Sequence, residues 1–144
     1  MAEKSLIPEA VRNKARILVV EDNLLNQKLD EFILSGWGLS FDICDNGFQA
    51  LEKLRARSYD LVLMDIRMPG IDGLETTRII RREMLLDLPV IGITAHANDD
   101  ERVRCLNGGM NSYLSKPVDE GQLFSLISAF LVSEGVEQNM GGEE

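Results

Sequence analysis

Five short apolar segments alternate along the chain with longer stretches in which apolar residues recur at helical spacing. The segments are Ile17–Val20, Leu39–Ile43, Leu61–Met64, Val90–Ile93 and Tyr113–Leu114. Most are about as long as a buried strand and show little polar alternation, which is typical of strands covered on both faces. A strand followed by a helix, five times over, favours a parallel sheet between two helical layers. Right-handed crossovers then predict a three-layer, doubly wound α/β domain.

The stretches between these segments carry helix signals. Three of them repeat apolar residues in the pattern of amphipathic helices, within Leu25–Ile33, Gly47–Leu54 and Leu123–Leu131. A weaker helical pattern lies near Leu74–Met84. Three polar residues stand three positions before a Glu or Gln, as in a capping box, and so predict helix starts. These pairs are Asp72 with Glu75, Asn98 with Glu101, and Asp119 with Gln122.

The composition narrows the class of protein. The chain has 144 residues, with 15 Lys+Arg and 24 Asp+Glu, and a net charge of −9. This acidity argues against nucleic-acid binding, which needs clustered Lys and Arg. No apolar stretch approaches the roughly 20 residues that span a bilayer, so we expect no membrane insertion. The chain is long enough to form one hydrophobic core.

The cysteines and the ends of the chain indicate the compartment and the limits of the domain. Cys44 and Cys105 are scattered and form no CxxC pair, and the first residues lack the apolar centre of a signal peptide, which favours a cytoplasmic protein. We predict one domain over residues 15–133. Residues 1–14 are expected to be a linker or leftover segment, and residues 134–144 a flexible acidic tail.

Candidate chemistry lies where the predicted strands end. The carboxyl ends of parallel strands meet at one edge of the sheet, where ligands bind. The residues that follow the first, third, fourth and fifth strands are Glu21 and Asp22, Asp65, Thr94, and Lys116. Crowded carboxylates raise one another's pKa unless a cation is present, and hard oxygen ligands suit Mg²⁺. Lys and Thr are donors for a phosphoryl group. These residues predict a Mg²⁺ site where a carboxylate could act as phosphoryl nucleophile.

Four motifs in this order resemble a known family. ILVVEDN, LVLMDIRMPGIDGLE, ITA and YLSKP resemble the receiver domain of two-component response regulators, over about Arg16 to Val132. The segments VEDNLLNQ and ITAHAND are similar to receivers of hybrid sensor histidine kinases. The resemblance implies a flavodoxin-like (βα)5 domain with a five-stranded parallel sheet in the order 2-1-3-4-5.

The resemblance also implies a role for each residue of the acidic end. Asp65 matches the phospho-accepting aspartate. Asp22 matches the acid that ligates Mg²⁺ directly, and Glu21 acts largely through water. The backbone carbonyl of Arg67 matches a further ligand, and Mn²⁺ is expected to substitute for Mg²⁺. The side chains of Arg67 and His96 occupy variable positions that tune the rate.

Three further residues match the switching parts of the family. Thr94 matches the hydroxyl that moves toward the phosphoryl group. Lys116 matches the amine that pairs with a phosphoryl oxygen, and its bond to Pro117 is expected to be cis. Tyr113 matches the aromatic residue that turns inward when the hydroxyl moves.

The implied function is a phosphorylation-activated signalling switch. A histidine kinase or histidine-phosphotransfer protein would donate the phosphoryl group to Asp65, and a conformational change would relay the signal. The chain would catalyse only its own phosphoryl transfer and dephosphorylation. The fourth predicted helix, fifth strand and fifth predicted helix, residues 99–106 and 112–132, form the expected output surface and a candidate surface for homodimerisation. The receiver could belong to a hybrid kinase or stand alone.

Three other classes of protein fit these residues less well. An aspartyl-nucleophile phosphatase usually needs a second acid two positions after the nucleophile, where this chain has Arg67. A flavin- or nucleotide-binding module needs a phosphate loop after the first strand, where Glu21 and Asp22 would repel phosphate. A non-phosphorylated protein-binding scaffold is disfavoured by the complete acidic site.

Overall fold

The strands lie side by side and parallel. In a computed structural model of the protein, residues 7–141 are described, with side chains described as far as Val132. The strands of this part are β1 (Arg16–Val20), β2 (Ser40–Cys44), β3 (Leu61–Asp65), β4 (Val90–Thr94) and β5 (Ser112–Ser115). Its helices are α1 (Glu9–Lys14), α2 (Leu24–Gly36), α3 (Gly47–Ala56), α4 (Gly73–Arg82), α5 (Asp99–Asn107) and α6 (Glu120–Gly141). The sheet order β2-β1-β3-β4-β5 confirms the predicted doubly wound α/β fold.

The sheet is buried on both faces. Alternate residues of β1 enter opposite layers, so Ile17 and Val19 pack with residues of α1, α2 and α6, whereas Leu18 and Val20 pack with residues of α3, α4 and α5. This explains why the strands are continuous apolar runs without polar alternation. The described helices contain no segment long and apolar enough to cross a membrane.

The predicted helix starts are confirmed. In each pair, the side-chain oxygen of the first residue accepts a hydrogen bond from the backbone N–H three positions on. The distances are 2.8 Å for Asp72 with Glu75, 2.9 Å for Asn98 with Glu101 and 2.8 Å for Asp119 with Gln122. These bonds satisfy N–H groups that a helix start leaves unpaired. They fix where α4, α5 and α6 begin, and so fix the length of the loops that follow β3, β4 and β5.

Part of the segment before β1 packs against the domain. Residues 1–6 lie outside the described part, but Ile7 is only 2% exposed and belongs to the core layer formed with α2 and α6. Helix α1 contributes Val11 to the same layer. At the other end, α6 continues to Gly141, through most of the predicted tail. The flexibility of residues 134–144 stays a prediction.

The apolar stripe of α2 is largely exposed, contrary to the usual expectation for an amphipathic helix. Leu25 is 77% exposed, Phe32 is 78% exposed, and Leu29 is also exposed, whereas Ile33 and Leu34 face the core. Periodicity identified the helix, but it could not tell which apolar residues the sheet would cover. The stripe of α3 behaves as predicted and is buried.

Packing of Ile7 predicts that the domain begins before residue 15. We expect Ile7→Ala to lower the free energy of unfolding by about 2–4 kcal/mol, because it leaves a cavity in the core. Chemical denaturation measures this value. Leu25→Ala is the control, and its exposed side chain should cost less than about 0.5 kcal/mol. Equal stability of Ile7→Ala and the native chain would restore the linker interpretation.

Candidate functional site

Three carboxylates meet at the carboxyl edge of the sheet. Glu21 follows β1 and Asp65 ends β3, and the two strands are neighbours through the pair Val20 and Met64. One oxygen each of Glu21, Asp22 and Asp65 lies within 4.8 Å of the others. Glu21 and Asp65 are buried, whereas Asp22 is exposed. The cluster is therefore anchored in the fold on one side and open to a ligand on the other.

One ammonium group faces this cluster. The Nζ atom of Lys116 lies 3.3 Å from Oδ1 of Asp65 and 3.8 Å from Oε1 of Glu21. The backbone N–H of Lys116 donates to the carbonyl oxygen of Thr94 at 2.7 Å, which ties the residue to the end of β4. Its peptide bond to Pro117 is cis, as predicted. A single ammonium cannot balance three carboxylates, so negative charge remains at the site.

Burial and charge together shift the pKa of Asp65. Burial, together with the charge of Glu21 and against the opposing charge of Lys116, raises the pKa of this carboxyl to about 7. Asp30 on α2 behaves similarly, since burial raises its pKa to about 6 against the opposing effect of Lys116. Asp30 lines a cavity of about 120 Å³ together with Asp65 and Lys116. A cation at this edge would favour the ionised carboxylates.

The first turn of α2 holds the acidic residues after β1. Oε2 of Glu21 accepts a hydrogen bond from the N–H of Asn23 at 3.0 Å. The side-chain amide of Gln27 donates to the carbonyl oxygen of Glu21 at 2.6 Å and to Asp45 at 2.8 Å. Sequence analysis did not single out Gln27, although it closes the VEDNLLNQ motif.

Helix α4 begins against the residue that ends β3. A Cβ atom at Gly73 would collide with the carbonyl oxygen of Asp65, so only glycine permits this approach. The N–H of Gly73 donates to the carbonyl oxygen of Ile66 at 2.8 Å. The N–H of Arg67 lies 3.4 Å from Oδ1 of Asp65. The loop after β3 is thereby held close to the carboxylate.

The Thr94 hydroxyl is engaged by a partner that sequence analysis missed. Thr94 follows Ile93, which pairs with Asp65 across the sheet. Its hydroxyl donates to Oε2 of Glu101 at 3.0 Å and accepts from the N–H of His96 at 3.0 Å. Glu101 appears in the sequence only as part of a helix start signal, and the direction of its side chain has no local signature.

The other predicted residues lie around this centre. Tyr113 is half-buried on β5, where it pairs with Gly92 of β4, and it packs against the core layer that includes α3 and α4. His96 is exposed in the loop after β4. The Arg67 side chain is mostly exposed after β3, so both predicted rate-tuning side chains lie at the rim of the site.

Comparison with known proteins identifies the family. The family model for the response regulator receiver domain matches residues 17–128. The chain belongs to the response regulator receiver family. Among curated relatives, the signal transduction histidine-protein kinase BarA of Escherichia coli (strain K12) is 32% identical over 141 residues, which cover 96% of this chain. That match covers 15% of BarA, so the activities of whole kinases do not transfer with it.

Two solved receivers resemble this one. The receiver domain of sensor histidine kinase PA1611 from Pseudomonas aeruginosa PAO1, with magnesium coordinated in its active site cleft, is 37% identical, with a TM-score of 0.74 over 81% of this chain and 97% of that one. The other comes from the co-crystal structure of the Saccharomyces cerevisiae phosphotransfer protein Ypd1 and the receiver domain of Ssk1. It is 25% identical, with a TM-score of 0.80 over 84% of this chain and 91% of that one.

The raised pKa of Asp65 predicts how stability depends on pH when chelator removes divalent cations. Between pH 3.8, the ordinary pKa of an aspartate, and about pH 7, the folded receiver binds more protons than the unfolded chain. The free energy of unfolding therefore falls as the pH rises through this range, and the loss is complete above about pH 7. We expect Asp65→Asn to be more stable than the native receiver by about 2 kcal/mol at alkaline pH, and the difference to vanish in acid.

Urea denaturation across this pH range measures the difference. Asp100→Asn, an exposed acid on α5, is the control and should change the free energy of unfolding by less than about 0.5 kcal/mol at any pH. An Asp65→Asn receiver that is less stable than the native one at alkaline pH would contradict the direction of the shift.

Proposed function

We propose that this receiver accepts a phosphoryl group on Asp65 from a phosphohistidine donor, in a reaction that depends on Mg²⁺, and passes the signal on by changing conformation. The observation that carries the proposal is the position of Asp65. Its carboxylate is buried at the end of β3, belongs to a cluster of three acids within 4.8 Å, and has the Lys116 ammonium 3.3 Å away.

The proposed transfer makes one bond and breaks one. A carboxylate oxygen of Asp65 attacks the phosphorus atom, and the bond between phosphorus and the donor's imidazole nitrogen breaks. That nitrogen keeps the electron pair and takes a proton. Asp65 must be ionised to attack, so groups that favour its charged form also favour the reaction. The Lys116 ammonium, 3.3 Å from Asp65, would pair with a phosphoryl oxygen.

The acidic residues fit a divalent cation. Glu21, Asp22, Asp65 and the backbone carbonyl of Arg67 are the proposed ligands, and the three carboxylates offer hard oxygen atoms next to open solvent. Oxygen ligands with open positions suit Mg²⁺, and Mn²⁺ is expected to substitute. A bound divalent cation supplies charge neutralisation for the carboxylates and for the incoming phosphate.

Thr94 and Tyr113 are the proposed switch residues. The new charge on Asp65 would attract the Thr94 hydroxyl, and Tyr113 would then turn inward, which biases an equilibrium between two states. The change would reach the surface of α5, β5 and α6. These elements contain residues 99–106 and 112–132, which form the output surface predicted from the sequence. We propose the same surface for homodimerisation.

The first test is intact mass after incubation with acetyl phosphate. We expect the native receiver to gain one phosphoryl group with Mg²⁺ and none with excess chelator, because the buried acids repel phosphate without a cation. Asp65→Ala should gain none under either condition. Asp60→Ala, which changes the acid that directly precedes β3, at the opposite end of the strand from Asp65, is the control and should behave like the native chain.

The same measurement separates the alternatives. A gain that persists in Asp65→Ala would overturn the assignment of the acceptor. No gain on the native chain, from acetyl phosphate or from phosphohistidine proteins, would favour the scaffold. Release of phosphate from external phosphoesters would favour a phosphatase.

The exposed face of α2 is the proposed docking surface for the donor. Leu25, Leu29 and Phe32 are exposed at helical spacing, and Leu29 also lines the cavity that reaches Asp65. Apolar side chains in one stripe suit a partner helix. The structural match to a receiver that was co-crystallised with the phosphotransfer protein Ypd1 supports a partner of this class.

Leu25→Ala tests this surface. We expect transfer from phosphorylated histidine-phosphotransfer proteins to slow by roughly tenfold, as for a central interface side chain, while labelling by acetyl phosphate stays at the native rate. Leu106→Ala is the matched control, since this exposed leucine lies on α5 in the opposite helical layer. Equal transfer rates for both variants would remove α2 from the interface.

The curated relatives indicate the kind of protein to which this domain would belong. BarA is a histidine kinase of which this chain covers only a small part, so we propose that the receiver belongs to a hybrid sensor histidine kinase on its cytoplasmic side. A stand-alone response regulator is the alternative. The receiver itself would catalyse only its own phosphoryl transfer and dephosphorylation.

A further inference from the structure

We propose that Glu101 is a positioning residue that holds the Thr94 hydroxyl in the unphosphorylated receiver and has to release it when Asp65 is phosphorylated. This inference rests on the proposed function of Asp65 and Thr94. It assigns the resting state of the switch to one buried carboxylate on α5.

Glu101 and a phosphoryl oxygen on Asp65 would compete for the hydroxyl proton of Thr94. A hydroxyl has a single proton to donate, and that of Thr94 is donated to Oε2 of Glu101 at 3.0 Å. The oxygen also accepts from the N–H of His96 at 3.0 Å. The hydroxyl cannot donate to Glu101 and to a phosphoryl oxygen on Asp65 at the same time. Engagement of the phosphoryl group therefore requires the bond to Glu101 to break.

The hydrogen bond between Thr94 and Glu101 is buried and joins a hydroxyl to a carboxylate, which makes it strong. Thr94 is 1% exposed and Glu101 is 4% exposed, so water does not compete effectively for either group. Hydrogen bonds to an ionised carboxylate are roughly twice as strong as those between neutral groups. The bond therefore holds the hydroxyl in its resting position, and the free energy needed to break it opposes activation.

Helix capping does not account for the direction of the Glu101 side chain. In a capping box the third helical residue reaches back to the N–H of the cap residue. Here the N–H of the cap residue Asn98 donates instead to the carbonyl oxygen of His96 at 3.0 Å. The backbone of Glu101 takes part in the cap through its own N–H, and its carboxylate is directed to Thr94.

Two arginines stabilise the charge of Glu101 independently of the Thr94 hydroxyl. Nη1 of Arg104 lies 3.2 Å and Nη2 of Arg67 lies 4.0 Å from Oε1 of Glu101, whereas Thr94 bonds to the other carboxylate oxygen. These cations keep the carboxylate compensated after the hydroxyl leaves. Arg67 is two residues after Asp65, so Glu101 connects the acceptor loop with the first turn of α5. Release of Thr94 would thus alter a contact of the proposed output surface.

Double substitution tests whether Glu101 acts through Thr94. The measurement is the apparent Kd of beryllofluoride, an analogue of the acyl phosphate, in Mg²⁺ buffer by titration calorimetry. We expect Glu101→Ala to tighten binding by roughly five- to tenfold, since one opposing hydrogen bond to a charged group is removed. In a Thr94→Val background the same change should alter Kd by less than about twofold.

Two controls separate the hydrogen bond from charge and from helix stability. Glu101→Gln removes the same negative charge but keeps an acceptor oxygen, so its Kd should lie closer to the native value than that of Glu101→Ala. Arg102→Ala changes an exposed residue of α5 and leaves the contact between Thr94 and Glu101, so its Kd should stay within about twofold of the native value.

The outcomes decide between the proposals. Equal tightening with and without the Thr94 hydroxyl, or equal tightening by Glu101→Gln and Glu101→Ala, would overturn the inference in favour of a charge effect. No effect of Glu101→Ala on a native receiver that binds the analogue would also overturn it, while the proposed function stands. A native receiver that neither binds the analogue nor gains a phosphoryl group would overturn the proposed function and this inference with it.

Discussion

Repulsion between buried carboxylates is the constraint on which the rest of this structure depends. Glu21 and Asp65 lie at the ends of neighbouring strands, and Asp22 adds a third negative charge beside them. Lys116 offsets part of that charge, but burial and the charge of Glu21 still raise the pKa of Asp65. Burying such groups is costly unless they are paired, so a cation bound at this edge would lower the electrostatic cost.

Rigid backbone elements keep the charges together. Glu21 and Asp22 lie between the end of β1 and the start of α2 at Leu24, whereas Asp65 ends β3 and lies against the start of α4. The close approach of Gly73 to Asp65 leaves no room for a side chain. Because the helix starts and the strand ends are held by separate hydrogen bonds, the carboxylates cannot relax apart without disturbing the sheet or the helices.

The two helical layers are used differently around this centre. In the layer of α2 and α6, apolar side chains of α2 remain exposed beside the cavity that leads to Asp65. In the layer of α3, α4 and α5, Glu101 reaches the end of β4 through Thr94. One side of the acidic edge is therefore suited to meet a donor, and the other is connected to the surface that would carry the signal.

The sequence by itself determined the five strands, the starts of α4, α5 and α6, the family and the residues of the acidic edge. These features depend on local patterns, because apolar runs and capping residues act within a few positions and every parallel strand ends at the same edge. Tertiary structure alone decided that Ile7 is buried, that Leu25 is exposed and that Thr94 donates to Glu101. Those outcomes depend on which surfaces meet and which rotamer a side chain adopts, and residues far apart in the chain determine both.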